Sequence, residues 1–148
     1  MKKQPTLRER ALRLLARREH SRTELAHKLK THVLPEDDLG ALLDDLARRK
    51  QLSDERYAES RAHALSRKFG AARIAQELRA KGLDKGLAER AAAGARTTEV
   101  DRARQIWLRK FRTAPATREE RARQMRFLQS RGFSFDAIRA VIRGADED

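Results

Sequence analysis

Metal chemistry would begin with the four histidines, His20, His27, His32 and His63. No two of them stand four positions apart, so no helix face offers two imidazoles to one ion. Carboxylates cluster at Asp37, Asp38, Asp44 and Asp45, where a seven-residue spacing could bring pairs onto one helical face. A solvated helix face with dipole pairing accounts for them more simply. Glycines occur singly, with no phosphate-cradling loop, and no nucleophile has a base beside it. Cysteine is absent, which excludes disulfides, thiolate catalysis and cysteine zinc sites. The chain reads as a non-enzyme that needs no cofactor and no metal.

What remains is cationic. The 148 residues carry 35 Lys and Arg against 22 Asp and Glu, a formal charge of +13, and the excess is spread over all three thirds of the chain rather than gathered in a tail. Such a surface favours an anionic partner, nucleic acid or an acidic protein groove. The candidate contacts are basic residues left over from local pairing along apolar stripes. In the middle of the chain these are Arg56, Arg61, Arg67, Lys68, Arg73, Arg79 and Lys81, and nearer the C-terminus Arg118, Arg121, Arg126 and Arg131. Arginine suits carboxylate and phosphate alike, because its fork donates two parallel hydrogen bonds. Tyr57, Trp107 and Phe127 fall on apolar stripes and read as core rather than as stacking platforms for bases.

The elements that position these residues are helices. Leu7, Ala11, Leu14 and Leu15 form one stripe on a helix over 7–18 capped by Thr6, and Ser21 with Glu24 has the spacing of a capping box for the helix carrying Leu25 and Leu29. Pro35 occupies a position tolerated in a first helical turn, followed by Glu36, Asp37 and Asp38, and Leu39, Leu42, Leu43 and Leu46 supply the apolar face of that helix. Ser53 caps a helix running to about residue 69. Gly70 breaks it, a helix over 71–81 follows, Gly82 stops that one in the left-handed conformation, and Asp84 caps the next over 85–93. A helix over 99–112, a loop at 113–116, a second capping box at Thr117 and Glu120, a stop at Gly132 and a cap at Ser134 complete the series, with residues 144–148 as an acidic fray.

The same wording recurs. Lys81-Gly82-Leu83-Asp84 is matched by Arg131-Gly132-Phe133-Ser134, and Val33 takes the place of Leu83 in a third copy, at intervals of about fifty residues. In that copy Val33-Leu34-Pro35 replaces the glycine pattern, which predicts a looser or longer bend. No window alternates as a strand does. The expectation is an all-α chain of three tandem three-helix repeats in an elongated, curved array, essentially without β-structure. Its parts are a flexible basic tail over 1–6, repeats over 7–52, 53–96 and 97–144, and an acidic tail over 145–148. Without an apolar leader at the start or any long apolar run, the chain reads as soluble, cytoplasmic and away from membranes.

Four segments in this order resemble the RecX regulatory proteins, which modulate the bacterial recombinase RecA. They are ALRLLARREHSRTEL followed by KL, LSDERYAES, KFGAARIAQELRAKG, and RFLQSRGFSFDAIRAV, spanning residues 11–142. The departures are the Pro35 bend, where relatives often turn through a glycine, and the strong basicity. The resemblance implies a helical-repeat monomer without enzymatic activity that binds in the groove of the RecA filament. There it would dampen filament growth, ATP hydrolysis, strand exchange and the co-protease function behind the SOS response, with contact to the filament's DNA also open. Two rival readings of the residues are a nucleic-acid-binding helical module acting without recombinase, since 21–25 and 70–74 look like helix-turn-helix starts, and a scaffold for an acidic protein.

Overall fold

Capping and apolar spacing divide the chain into short amphipathic helices. The computed structural model describes residues 3–147, and among them are nine α-helices and no strand: α1 (Leu7–Arg17), α2 (Arg22–Leu29), α3 (Leu39–Arg48), α4 (Asp54–Leu65), α5 (Ala71–Ala80), α6 (Lys85–Ala93), α7 (Glu99–Lys110), α8 (Arg118–Ser130) and α9 (Phe135–Glu147). Met1, Lys2 and Asp148, assigned by the sequence to the two tails, lie outside the described residues. The side chains of Thr6, Ser21, Ser53, Asp84 and Thr117 each accept the amide N–H three positions on, filling one of the donors a helix start leaves without partners. Ser134 does the same for Ala137 at 3.1 Å.

Three separate cores hold the helices in threes. Leu7, Ala11, Leu25, Leu29, Leu43, Leu46 and Leu52 form the first. Tyr57, Ala58, Leu65, Ile74, Leu78, Leu83, Ala88 and Ala92 are in the second, and Ala103, Trp107, Leu128, Phe133, Ile138, Val141 and Ile142 make the third. Cores this small leave much of the chain wet: it exposes 10134 Å², where a compact monomer of 17.0 kDa would expose roughly 7,700 Å². The array is elongated.

Gly82 and Gly132 both stand in the left-handed conformation, with φ of 88° and 85°. Each closes its helix with the same pair of bonds: Leu83 N–H to the Leu78 carbonyl and Gly82 N–H to that of Arg79 at the first stop, Phe133 N–H to the Leu128 carbonyl and Gly132 N–H to that of Gln129 at the second, all at 2.9 to 3.3 Å. The first unit lacks this stop. There α2 runs into a short 3-10 turn over Lys30–His32, and the chain reaches α3 only after the longer bend at Pro35.

Four local expectations are corrected. Helix α3 begins at Leu39, not at Pro35, because Asp37 and Asp38 are used otherwise: Asp37 closes a turn by accepting the Leu34 N–H at 2.9 Å, and Asp38 caps the helix by accepting the Ala41 N–H at 3.0 Å. Helix α4 ends at Leu65, short of residue 69, since the carbonyls of Ser66 and Phe69 are taken by Arg102. The capping box at Ser21 forms by half, because the Glu24 carboxylate is bound instead by Arg18 at 2.6 Å. Helix α9 continues past Gly144 to Glu147, with Asp146 tied to Arg121 of α8 at 2.9 Å.

Candidate partner-binding surface

The units meet through one joint, used twice. Arg22 opens α2 and Ala71 opens α5, so the amide of each has no acceptor inside its own helix. Asp54 Oδ1 accepts the Arg22 N–H at 2.7 Å, and Glu99 Oε1 accepts the Ala71 N–H at 2.9 Å. Asp54 and Glu99 are themselves the first residues of α4 and α7. Each carboxylate therefore sits between two helix N-termini, both of which favour negative charge. The glycine turns pack at the same joint: Thr23 of the first unit lies against Gly82 of the second, and Arg73 of the second against Gly132 of the third.

Three of the basic residues picked out by sequence are consumed by partners, Arg56 and Arg73 in these joints and Arg121 inside the third unit. Arg56 donates to Glu19 at 2.8 Å and to the Lys50 carbonyl at 2.8 Å. Arg73 donates to Glu77 at 3.0 Å and to the Ser130 carbonyl at 3.2 Å, and its guanidinium lies 4.7 Å from the Phe69 ring centre. Arg121 pairs with Asp146. Exposed and without an ion pair among the described residues are Arg79, Arg118 and Arg126.

The remaining candidates converge on two clefts. Arg61 and Lys81 line the first with Arg18, Glu19, Glu24 and Tyr57. Arg67, Lys68 and Arg131 line the second, together with Ile106, Arg109, Lys110 and Phe127. Arg109 and Lys110 were missed in the sequence, as was Arg102, which is spent on structure. Its guanidinium donates to the carbonyls of Ser66, Phe69 and Ala95, and burial pushes its pKa down.

Tyr57 and Trp107 are buried, the Trp107 ring N–H donating to the buried Gln124 side chain at 2.8 Å. Phe127 is half-buried, its ring edge-on to Phe111 with centres 5.4 Å apart. Among the acidic residues, Asp44 binds Arg22 at 2.7 Å and Asp45 is held by Arg8, Arg48 and Arg49 at 2.7 to 3.0 Å. The Arg8 guanidinium, helped by the other two, brings the Asp45 carboxyl down to about 2. No group of three His, Asp or Glu among the described residues gathers as a metal site, and no described helix is long and apolar enough to cross a membrane.

Three domain models of RecX match in order: the first three-helix domain over residues 8–46, the second over 53–91 and the third over 97–142. The chain belongs to the RecX family. Its similarity to the regulatory protein RecX of Leptothrix cholodnii is 49% identity over 145 residues, 98% of this chain and 92% of the relative. To that of Herminiimonas arsenicoxydans it is 43% over 147 residues, 99% and 97%. A crystal structure of RecX from Lactobacillus salivarius superposes with a TM-score of 0.83 at 23% identity, covering 96% of each chain. A second RecX crystal structure gives 0.78 at 23%, over 91% of this chain and 70% of the other. These two likenesses carry the fold, and the sequence matches carry the family.

Proposed function

We propose that the chain is a non-enzymatic regulator of the RecA recombinase, lying along the groove of the recombinase–DNA filament and restraining its growth. With growth, ATP hydrolysis, strand exchange and co-protease activity fall. The reading is supported by family membership over nearly the whole chain, among relatives that carry the name regulatory protein RecX. The observation that carries the mechanism is the repeated joint. Because Asp54 with Arg22 and Glu99 with Ala71 join successive units in one way, equivalent faces recur along the array. A target built of repeating subunits can then be met at several points, and each added contact is intramolecular once the first has formed. Arg61, Arg79, Lys81, Arg118 and Arg126 supply spread positive charge for acidic groove walls or filament DNA.

The test is ATP turnover and filament length for preassembled RecA filaments with this protein added well below the recombinase concentration. Turnover should fall and filaments shorten. No effect on either at equimolar protein sinks the reading. Tight binding to naked DNA with a steep salt dependence, alongside no filament effect, would move the function to the rival nucleic-acid module.

A further inference from the structure

The two clefts stand at equivalent places in successive joints, and the chain thus holds its own comparison. Arg18 and Glu19 precede the cap of α2 as Arg67 and Lys68 precede the cap of α5, and Lys81 and Arg131 each stand just before a left-handed glycine. Along α4 and α7, Ala64 and Arg109 occupy matching positions. The chemistry at these positions diverges. In the first cleft three cations, Arg18, Arg61 and Lys81, face two carboxylates, and both are already bound, Glu24 by Arg18 at 2.6 Å and Glu19 by Arg56 at 2.8 Å. The second cleft, of about 250 Å³, is lined by five cations, Arg67, Lys68, Arg109, Lys110 and Arg131, and by no carboxylate. Lys68 stands where the first joint has Glu19, and Arg73 where it has Glu24.

None of the five pairs with a carboxylate among the described residues. Gathering five like charges costs stability unless an anion joins them. Arg131 is also held in place. Its guanidinium lies 5.2 Å from the Phe127 ring centre and 5.9 Å from that of Phe69, and Lys110 approaches Phe127 at 5.6 Å. Aromatic faces orient a cation without neutralising it, so a fork fixed in this way keeps its donors for a ligand.

We propose that this second cleft is a binding site for phosphate groups, supplied by a free polyphosphate or by a nucleic-acid backbone. A lone carboxylate offers one charge to five cations. Linked phosphates carry several charges within a few ångströms and present oxygens to fork and ammonium donors together. The site needs no recombinase, so its test is separate from that of the filament reading.

The experiment measures inorganic triphosphate by calorimetry and a labelled oligothymidylate by anisotropy, both on the full chain alone. The variants are Lys110→Gln with Arg131→Gln, Lys110→Gln by itself, and Arg61→Gln with Lys81→Gln in the first cleft, all checked for unchanged helical circular dichroism. Phosphate affinity should fall at least tenfold in the first variant and severalfold in the second, and hold in the third. Displacement of the oligonucleotide by triphosphate means that the cleft takes phosphates from either source. Oligonucleotide binding alone, lost in the same variants, assigns the backbone as the source. Binding indifferent to Lys110 and Arg131, no binding of either probe, or tighter binding of a polyglutamate peptide overturns the proposal.

Discussion

The Glu99 carboxylate, nearly closed off from solvent, accepts the backbone N–H of Ala71 at 2.9 Å and so bridges the first residues of α7 and α5. Asp54 makes the equivalent bond to Arg22 at 2.7 Å from a more open position. Burial raises the cost of breaking such a bond, because the orphaned group cannot turn to water. Glu99→Ala, which removes the acceptor, should therefore lower stability by about 1 to 3 kcal/mol and Asp54→Ala by less, measured as urea midpoints. Equal losses would mean that the burial difference carries no energy.

Gly70 has an ordinary φ of −80°, and its need for glycine is one of space. A Cβ there would stand 2.4 Å from the Gly132 carbonyl oxygen, while the Gly70 N–H donates to the Arg131 carbonyl at 2.8 Å. Backbone meets backbone here, and neither can swing aside. Gly70→Ala should cost about 1 to 3 kcal/mol by overpacking and split the thermal transition as units two and three separate. Gly94→Ala, where nothing lies within 4 Å of the added carbon, is the matched control and should leave the melt unchanged.

Acid sensitivity has two separable sources. His20 is buried, with Nδ1 3.1 Å from the Arg18 carbonyl and Nε2 2.9 Å from the Lys28 ammonium, an arrangement that suits the neutral ring protonated on Nδ1. Burial lowers its pKa below the ordinary 6.5, and the nearby charges of Arg18 and Lys28 lower it further, against opposing contributions from the Arg18 carbonyl and Glu24. The unfolded chain then takes up the proton first, so stability present above pH 6.5 is lost as pH falls below it. Asp45, lowered from 3.8 to about 2, adds stability that is present above the unfolded value and lost between about pH 4 and pH 2. His20→Gln should flatten only the first slope and Asp45→Asn only the second, in urea midpoints taken across pH.

Most of the helix series is legible because its signals are local: a capping Ser, Thr or Asp, an apolar stripe, a left-handed glycine. The start of α3 is one of the exceptions. Pro35, Glu36, Asp37 and Asp38 have the composition of a first turn, and only the competition between turn closure by Asp37 and capping by Asp38 places the helix later. Surface chemistry is less legible, since charge partners lie far along the chain. Arg56 looks unspent in its own helix, yet Glu19 takes it up from the neighbouring unit. Arg73 is shared between the Ser130 carbonyl of the third unit and Glu77, a partner four positions on in its own helix that local spacing does show. The same distance hides Arg109 and Lys110, whose cleft mates Arg67 and Lys68 follow the end of α4 in another repeat. The repeat interval itself was the available signal. Setting Glu19 beside Lys68 and Glu24 beside Arg73 exposes the charge difference between the joints.

Arg102 tests whether the array acts as one body. Its guanidinium donates to the Ser66 carbonyl at 2.6 Å, to that of Phe69, and to that of Ala95 at 2.6 Å, and Nε donates to Thr98 Oγ1 at 3.0 Å. Phe133 lies below it at 5.7 Å. These carbonyls close the ends of α4 and of the 3-10 turn after α6, where helix dipoles favour a cation. Lysine keeps the charge but offers a single ammonium, which cannot reach acceptors on several sides of a planar fork. Arg102→Lys should cost about 2 to 4 kcal/mol, as two or more charged hydrogen bonds are lost, and should reduce the urea m-value if unit three then unfolds alone. At temperatures where the variant remains folded, a regulator that works by spanning neighbouring filament subunits should also lose inhibition of RecA ATP turnover severalfold, because loosened units no longer hold their contacts in register. Full inhibition by a folded Arg102→Lys protein with a lowered m-value would show that one unit suffices, and would remove the span from the mechanism.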